Sequence, residues 1–192
     1  MTRAVAHPEW ALCLGGADCV WDDVLAWEAE YGREWDGLVI AANDVGCHWP
    51  RAIDHWVSLH SNKFGRWEAL RKRHQLPGGY ARWGMERHAQ LVDQHVKVWA
   101  AGSSGLLAVQ VAWTLGCTRA VLCGIPMTAS AHFGESGEGF HKKWFAANAH
   151  WSAWSRVEGK LAGWVRSMSG RTRERYGCPS LDWLREAPAA GG

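Results

Sequence analysis

Residues 96–128, VKVWAAGSSGLLAVQVAWTLGCTRAVLCGIPMT, decide the fold. A short apolar run at 96–100 breaks at Gly102-Ser103-Ser104-Gly105. The chain is then apolar on nearly every face from Leu106 to Leu115, and Gly116 stops it. A second apolar run, 120–122, follows with Gly124 behind it. Strand, glycine/serine turn, buried helix, glycine stop and strand make up a βαβ unit. Ser103 or Ser104 suits the helix N-cap, and Gly116 falls where a left-handed residue closes a helix. Gly105, Ala108 and Ala112 share one helical face, so this helix can lie close against a sheet. Parallel strands connected in this way belong to an open α/β sheet, which binds ligands beyond the carboxyl ends of its strands. The amides at the head of the helix, with its dipole, then form an anion site suited to a phosphate or nucleotide.

Upstream, Trp10 to Leu14 reads as a first strand, apolar throughout and therefore central, with Gly15-Gly16 directly behind it. A helix from Asp22-Asp23 to Tyr31 places acidic residues in its first turn, where they suit the dipole. Residues 37–42 (GLVIAA) form a second buried strand ending at Asn43-Asp44, and residues 56–59 a third. Residues 63–74 read as a basic helix with a solvated face. Pro77-Gly78-Gly79 breaks the chain, and the segment to Gln94 has no definite pattern beyond some helix. Downstream, residues 127–140 form a glycine-spaced loop of the length that serves function. Residues 142–161 carry an apolar stripe at helical spacing. A last strand at 165–169, a basic turn at 171–175 and a short helix at 181–185 capped by Ser180 complete the pattern, with a disordered tail from about 186. No repeat or second domain is visible. The expected fold is a single Rossmann-like, doubly wound, mainly parallel α/β domain over residues 1–192.

Composition narrows the function classes. The chain has 192 residues, 47% of them hydrophobic and 21% charged, as in a soluble globular domain. A net charge of +2 is too small to argue for nucleic-acid binding. Fifteen tryptophans serve either as bulky core filler or as a ring-stacking surface, with filler the plainer reading. The six cysteines form no CxxC and read as free, mostly buried thiols in a reducing compartment. No leader-like apolar region or membrane-length run stands out, which points to the cytoplasm.

The glycine turn at Gly15 is not the dinucleotide fingerprint, because Ala17 and Val20 stand where glycine is needed. No glycine loop carries a Walker lysine, and HExxH and DxD are absent, so no motif calls for a metal. Gly102-Ser103-Ser104-Gly105 also misses the G-x-S-x-G spacing of a nucleophile elbow. What remains are three strand ends: Gly15-Gly16, Asn43-Asp44 and Ser103-Ser104. In a doubly wound sheet these would line one crevice, with the first and fourth strands flanking the switch point. Glycine admits a ligand close to the backbone, and Asn43 offers both donor and acceptor to a base or ribose.

LCLGGADCVWDD, IAANDVG and SSGLLAVQVAWTLGCTRAVLCGIPM, in this order, resemble the bacterial sialyltransferases that act on lipooligosaccharide. They equally resemble related proteins of unknown function that include an archaeal pterin pyrophosphokinase, and uncharacterised proteins encoded by phages. The likeness spans about two thirds of the chain. It implies a Rossmann-like fold and a metal-independent enzyme using a nucleotide-activated sugar of the CMP type. Gly15 falls on the first glycine of that family's G-x-G-P-S turn, and Asn43 on its nucleotide-binding asparagine. Ser103, Ser104 and Gly105 fall on its threonine/serine–serine–glycine turn, and Gly16 completes the expected nucleotide set. The family's histidine base precedes the long helix, which makes His141 the first candidate and His132 the second. The departures are Ala17, Asp18 and Cys19 in the glycine turn and Pro126 in place of an aspartate. The tyrosines that assist the departing phosphate have no evident counterpart. Two rivals follow: a pyrophosphokinase or other phosphotransferase, needing Mg²⁺ and ATP, and a non-catalytic nucleotide-binding accessory protein. The acceptor and the oligomeric state are left open.

Overall fold

The computed structural model describes residues 9–100, 102–129, 131–133 and 147–186. Seven strands form one parallel sheet: β1 (Trp10–Leu14), β2 (Leu38–Ala42), β3 (His55–Val57), β4 (Ala81–Met85), β5 (Gln94–Val96), β6 (Arg119–Cys123) and β7 (Val165–Ser167). Their order across the sheet is β5-β4-β3-β2-β1-β6-β7. This is the Rossmann-like α/β architecture expected from the sequence. In register, Leu12 lies between Val39 of β2 and Val121 of β6.

The helices are α1 (Val20–Tyr31), α2 (Phe64–Arg73), α3 (Ser104–Thr114), α4 (Ala147–Arg156), α5 (Glu158–Leu161), α6 (Gly170–Tyr176) and α7 (Leu181–Arg185). Alternation along the central strands sends side chains into two cores. Ala11, Cys13, Ile40 and Leu122 meet α3 and the Trp154 and Leu161 of α4 and α5 on one face. Leu12, Leu14, Ala41 and Val121 meet α1, α2 and Trp183 of α7 on the other. Trp27, Trp49, Trp56 and Trp154 are fully buried, so the tryptophans serve largely as core filler. All six cysteines are free, and Cys13, Cys47, Cys117 and Cys123 are buried.

Ser103 caps α3 by accepting the Leu106 amide at 3.3 Å, and Gly116 closes it at φ 83°. Ser180 caps α7 in the same way through the Trp183 amide. Other expectations need correction. The run 96–100 is not a strand beside the switch point; only Val96 belongs to β5, at the sheet edge. The backbone beyond it bonds to a helix side chain: Gln110 of α3 accepts the Trp99 amide at 2.9 Å and donates to the Lys97 carbonyl at 2.7 Å. The chain therefore crosses back over the sheet through α3, and β1 and β6 flank the switch point.

The segment after Gly79 supplies two strands, β4 and β5. β4 (ARWGM) lacks an apolar run because Arg82 binds Asp93 at 2.7 Å, while a side chain at Gly84 would strike Ser61 Oγ. Of the long helix expected over 142–161, residues 142–146 lie outside the described set. The remainder breaks at Val157 (φ −108°, ψ 9°) into α4 and α5. The basic turn at 171–175 is the helix α6. On α2, Arg71 is 1% exposed rather than solvated, and its guanidinium donates to the carbonyls of Gly46, Trp49, Arg51 and Pro77. It stitches the loop after β2 to the end of α2. The expected disordered tail falls beyond Glu186, outside the described residues.

Candidate functional site

The carboxyl end of the sheet is assembled around the β1/β6 divide. The Gly15 amide donates to Cys123 O at 2.8 Å, and the Ala17 amide to Gly124 O at 3.2 Å. A Cβ on Gly15 would stand 2.2 Å from Gly124 O and 2.4 Å from Ile125 Cγ1. A Cβ on Gly105, in the first turn of α3, would stand 2.9 Å from Ile125 Cγ2. Gly15, Ile125 and Gly105 thus bring β1, β6 and the head of α3 into one contact. These two glycines serve backbone packing, and Ile125 and Gly124 fill the space they leave.

Asn43 and Ser104 lie along the same edge, linked through the end of β3. Asn43 adopts a left-handed φ of 59°, and Ser58 Oγ donates to its Oδ1 at 2.8 Å. One residue on, the Leu59 amide donates to Ser104 Oγ at 3.2 Å. Ser103 Oγ, besides capping α3, accepts from Trp154 Nε1 at 3.3 Å and lies 3.9 Å from Met127 Sδ. The structure therefore gathers Gly15, Gly16, Asn43, Ser103, Ser104 and Gly105 at the strand ends. It also gives each of the three polar side chains a partner within the protein.

Gly16 faces the histidine. Residues 131–133 run back across the turn after β1: Ala17 and His132 form an antiparallel bridge. The Asp18 amide donates to Ala131 O at 3.0 Å, and the Phe133 amide to Gly16 O at 3.1 Å. A Cβ on Gly16 would lie 2.6 Å from His132 Nε2, so glycine here makes room for the imidazole. His132 Nε2 is 3.0 Å from Asp44 Oδ1, and a carboxylate only accepts, so Nε2 carries the proton. Burial alone would raise the Asp44 carboxyl, but the hydrogen bond and charge of His132 outweigh it and hold the group below its ordinary value.

An aromatic ledge surrounds the pair. The Phe133 ring lies 4.5 Å from the His132 ring, 5.2 Å from His48 and 5.9 Å from Trp21. His48 in turn lies 5.4 Å from His74 at the end of α2. Burial, then the neighbouring His74, hold His48 below its ordinary value against the pull of Asp44. His141 lies outside the described residues.

Asp23 takes a part that the helix-dipole reading missed. It is 6% exposed, and its Oδ2 accepts from the Gly124 amide and Ser169 Oγ, each at 2.7 Å. It thereby ties α1 to the ends of β6 and β7. Burial raises its carboxyl despite these hydrogen bonds. Cys19 beside it is pushed up to about 11 by burial, which keeps it a thiol at neutral pH. The sequence marks Asp44 only as part of the strand end Asn43-Asp44 and gives it no partner. Asp44 follows Asn43 directly, but its partner is 88 positions away. Among the described residues no cluster of three His, Cys, Asp or Glu side chains could hold a metal ion, and no helix is long and apolar enough to cross a membrane. A separate hollow of about 450 Å³, lined in part by Arg71, Lys72 and Tyr80, lies between α2 and the amino end of β4, away from the strand ends that form the site.

No protein-family model matches the chain, and no curated protein matches it in sequence. A solved structure does resemble it: the sialyltransferase CST-II, as a tyrosine-to-phenylalanine variant in complex with CMP. The two superpose with a TM-score of 0.60 at 10% sequence identity, over 90% of this chain and 87% of the other. The chain thus has the fold of a sialyltransferase whose structure holds a cytidine nucleotide.

Proposed function

We propose that this protein is a glycosyltransferase that uses a nucleotide-activated sugar of the CMP type, without a metal cofactor. The observation that carries the reading is the His132–Asp44 pair over Gly16, beside the head of α3 at the carboxyl ends of the strands. That is where an open α/β sheet receives its ligand, and the similar fold of CST-II was solved with CMP. In the proposed reaction an acceptor hydroxyl attacks the anomeric carbon of the donor. The bond from that carbon to the phosphate oxygen breaks, and the nucleotide leaves with the electron pair. His132 is the described histidine in position to take the hydroxyl proton, and His141, the first candidate from the sequence, is the alternative for this part. The α3 amides near Ser103, Ser104 and Gly105 offset the charge on the departing phosphate, with Asn43 toward the base or ribose.

A second reading, a nucleotide-binding module without turnover, is favoured by one set of contacts. Asn43 Oδ1 already accepts from Ser58, and the turn after β1 is bonded to residues 131–133. Thermal unfolding with CMP, CMP-sugars, UDP-sugars and ATP tests both, since a ligand of the folded form raises its melting temperature. CMP at about a hundredfold over its Kd stabilises by about 2.7 kcal/mol. The transferase reading expects CMP to give the largest shift and CMP-sugar to be consumed in EDTA. A CMP shift without consumption, across a panel of glycan acceptors, selects the binding module. ATP consumption that needs Mg²⁺ would replace both with a phosphotransferase.

A further inference from the structure

We propose that Asp44 is a positioning residue that holds the His132 imidazole as its Nε2–H tautomer and directs the basic lone pair to Nδ1. The transfer role of His132 rests on the glycosyltransferase reading; the pairing and its effect on the imidazole do not. Three features fix the ring. The backbone of residues 131–133 is bonded to the turn after β1 on both sides of His132. The absent Cβ of Gly16 leaves the space that the ring edge occupies. Asp44 Oδ1, 3.0 Å from Nε2, then sets the rotation of the ring and the nitrogen that bears hydrogen. Asp44 is itself held in place, since it is the second residue of the turn Asn43–Cys47 and follows a residue in the left-handed region.

The arrangement stores a charge response. When Nδ1 takes a proton, the resulting imidazolium lies against a carboxylate already bonded to its other nitrogen, so Asp44 favours the protonated form without giving up its own charge. Among the described residues, the other groups acting on this pair are His48, which acts on both Asp44 and His132, and Cys47, whose thiol feels the charge of Asp44. His74 acts on His48 from the end of α2. A protonated His48 would compete with His132 for Asp44, so the pair works with His48 neutral.

Nitrogen-15 NMR of histidine-labelled full-length protein tests this without any substrate. His132→Gln assigns the signal, and Asp44→Asn, Asp44→Ala and His48→Gln are compared with the parent. The parent should show the Nε2–H pattern at His132. Asp44→Asn, nearly the same shape without the charge, should lower the His132 titration midpoint by about one pH unit. Asp44→Ala should also mix the tautomers, and His48→Gln should leave the Nε2–H pattern intact. An unchanged midpoint in folded Asp44→Asn would overturn the proposal, even if Asp44→Ala fails to fold. Where CMP-sugar is consumed, Asp44→Asn should lower kcat about tenfold or more, leave KM within about twofold, and shift the acid limb of the pH profile. If no CMP-sugar is consumed, the transferase reading falls alone and the NMR result still decides the pair.

Discussion

At the scale of single residues, two adjacent glycines have different reasons to be glycine. A methyl group on Gly15 would press on the Gly124 carbonyl and the Ile125 side chain, where main chain on both strands has to give. Gly15→Ala should therefore cost about 1–3 kcal/mol as overpacking, read as a melting temperature lower by about 3 °C or more. A methyl group on Gly16 meets only the end of the His132 ring. Gly16→Ala should melt closer to the parent yet displace the imidazole, which histidine NMR would show as loss of the Nε2–H pattern. Equal melting losses in the two variants would remove the distinction. The glycines were legible in the sequence as a strand-end turn. What fills the space above each was not, because Gly124 and His132 come from more than a hundred positions along the chain.

At the scale of elements, β3 and β4 are joined by a bond sensitive to acid. Trp83 Nε1 donates to His55 Nδ1 at 2.9 Å, which requires a neutral imidazole. Burial, only partly offset by Asp54, holds His55 below its ordinary value. Because the folded form resists protonation more than the unfolded chain, this contribution is complete above about pH 6.5. It is lost as the pH falls from there through the folded-state value. Denaturant melts should show stability declining below about pH 6.5, and His55→Gln should flatten part of that decline. A slope unchanged by the substitution would remove His55 as its source. Helix α3 shows how far an element can be read from pattern alone. Its cap, stop and small-residue face were all apparent locally. The strand assigned before it, over 96–100, was not, because the backbone at Lys97 and Trp99 bonds to Gln110 instead of a neighbouring strand.

At the scale of the whole molecule, the sheet is held from its centre. β1, β2 and β6 are paired on both sides and buried on both faces, whereas β5 pairs only with β4 and exposes Gln94 and His95. Native-state hydrogen exchange should find amides of Leu12, Ile40 and Val121 opening only with global unfolding, and those of β5 exchanging far sooner. Uniform protection across the sheet would contradict this. The fold class was legible because continuous apolar strands, a glycine-closed buried helix and capping serines are local signals, written within a few residues of one another. The same signals marked Gly15 and Asn43 as strand ends and Ser103 as a helix cap. Strand order, the switch point between β1 and β6, the strands β4 and β5, and the pairing of Asp44 with His132 were decided only in the folded chain. Each depends on contacts between residues distant in sequence, whose energy exists only once the sheet has brought them together.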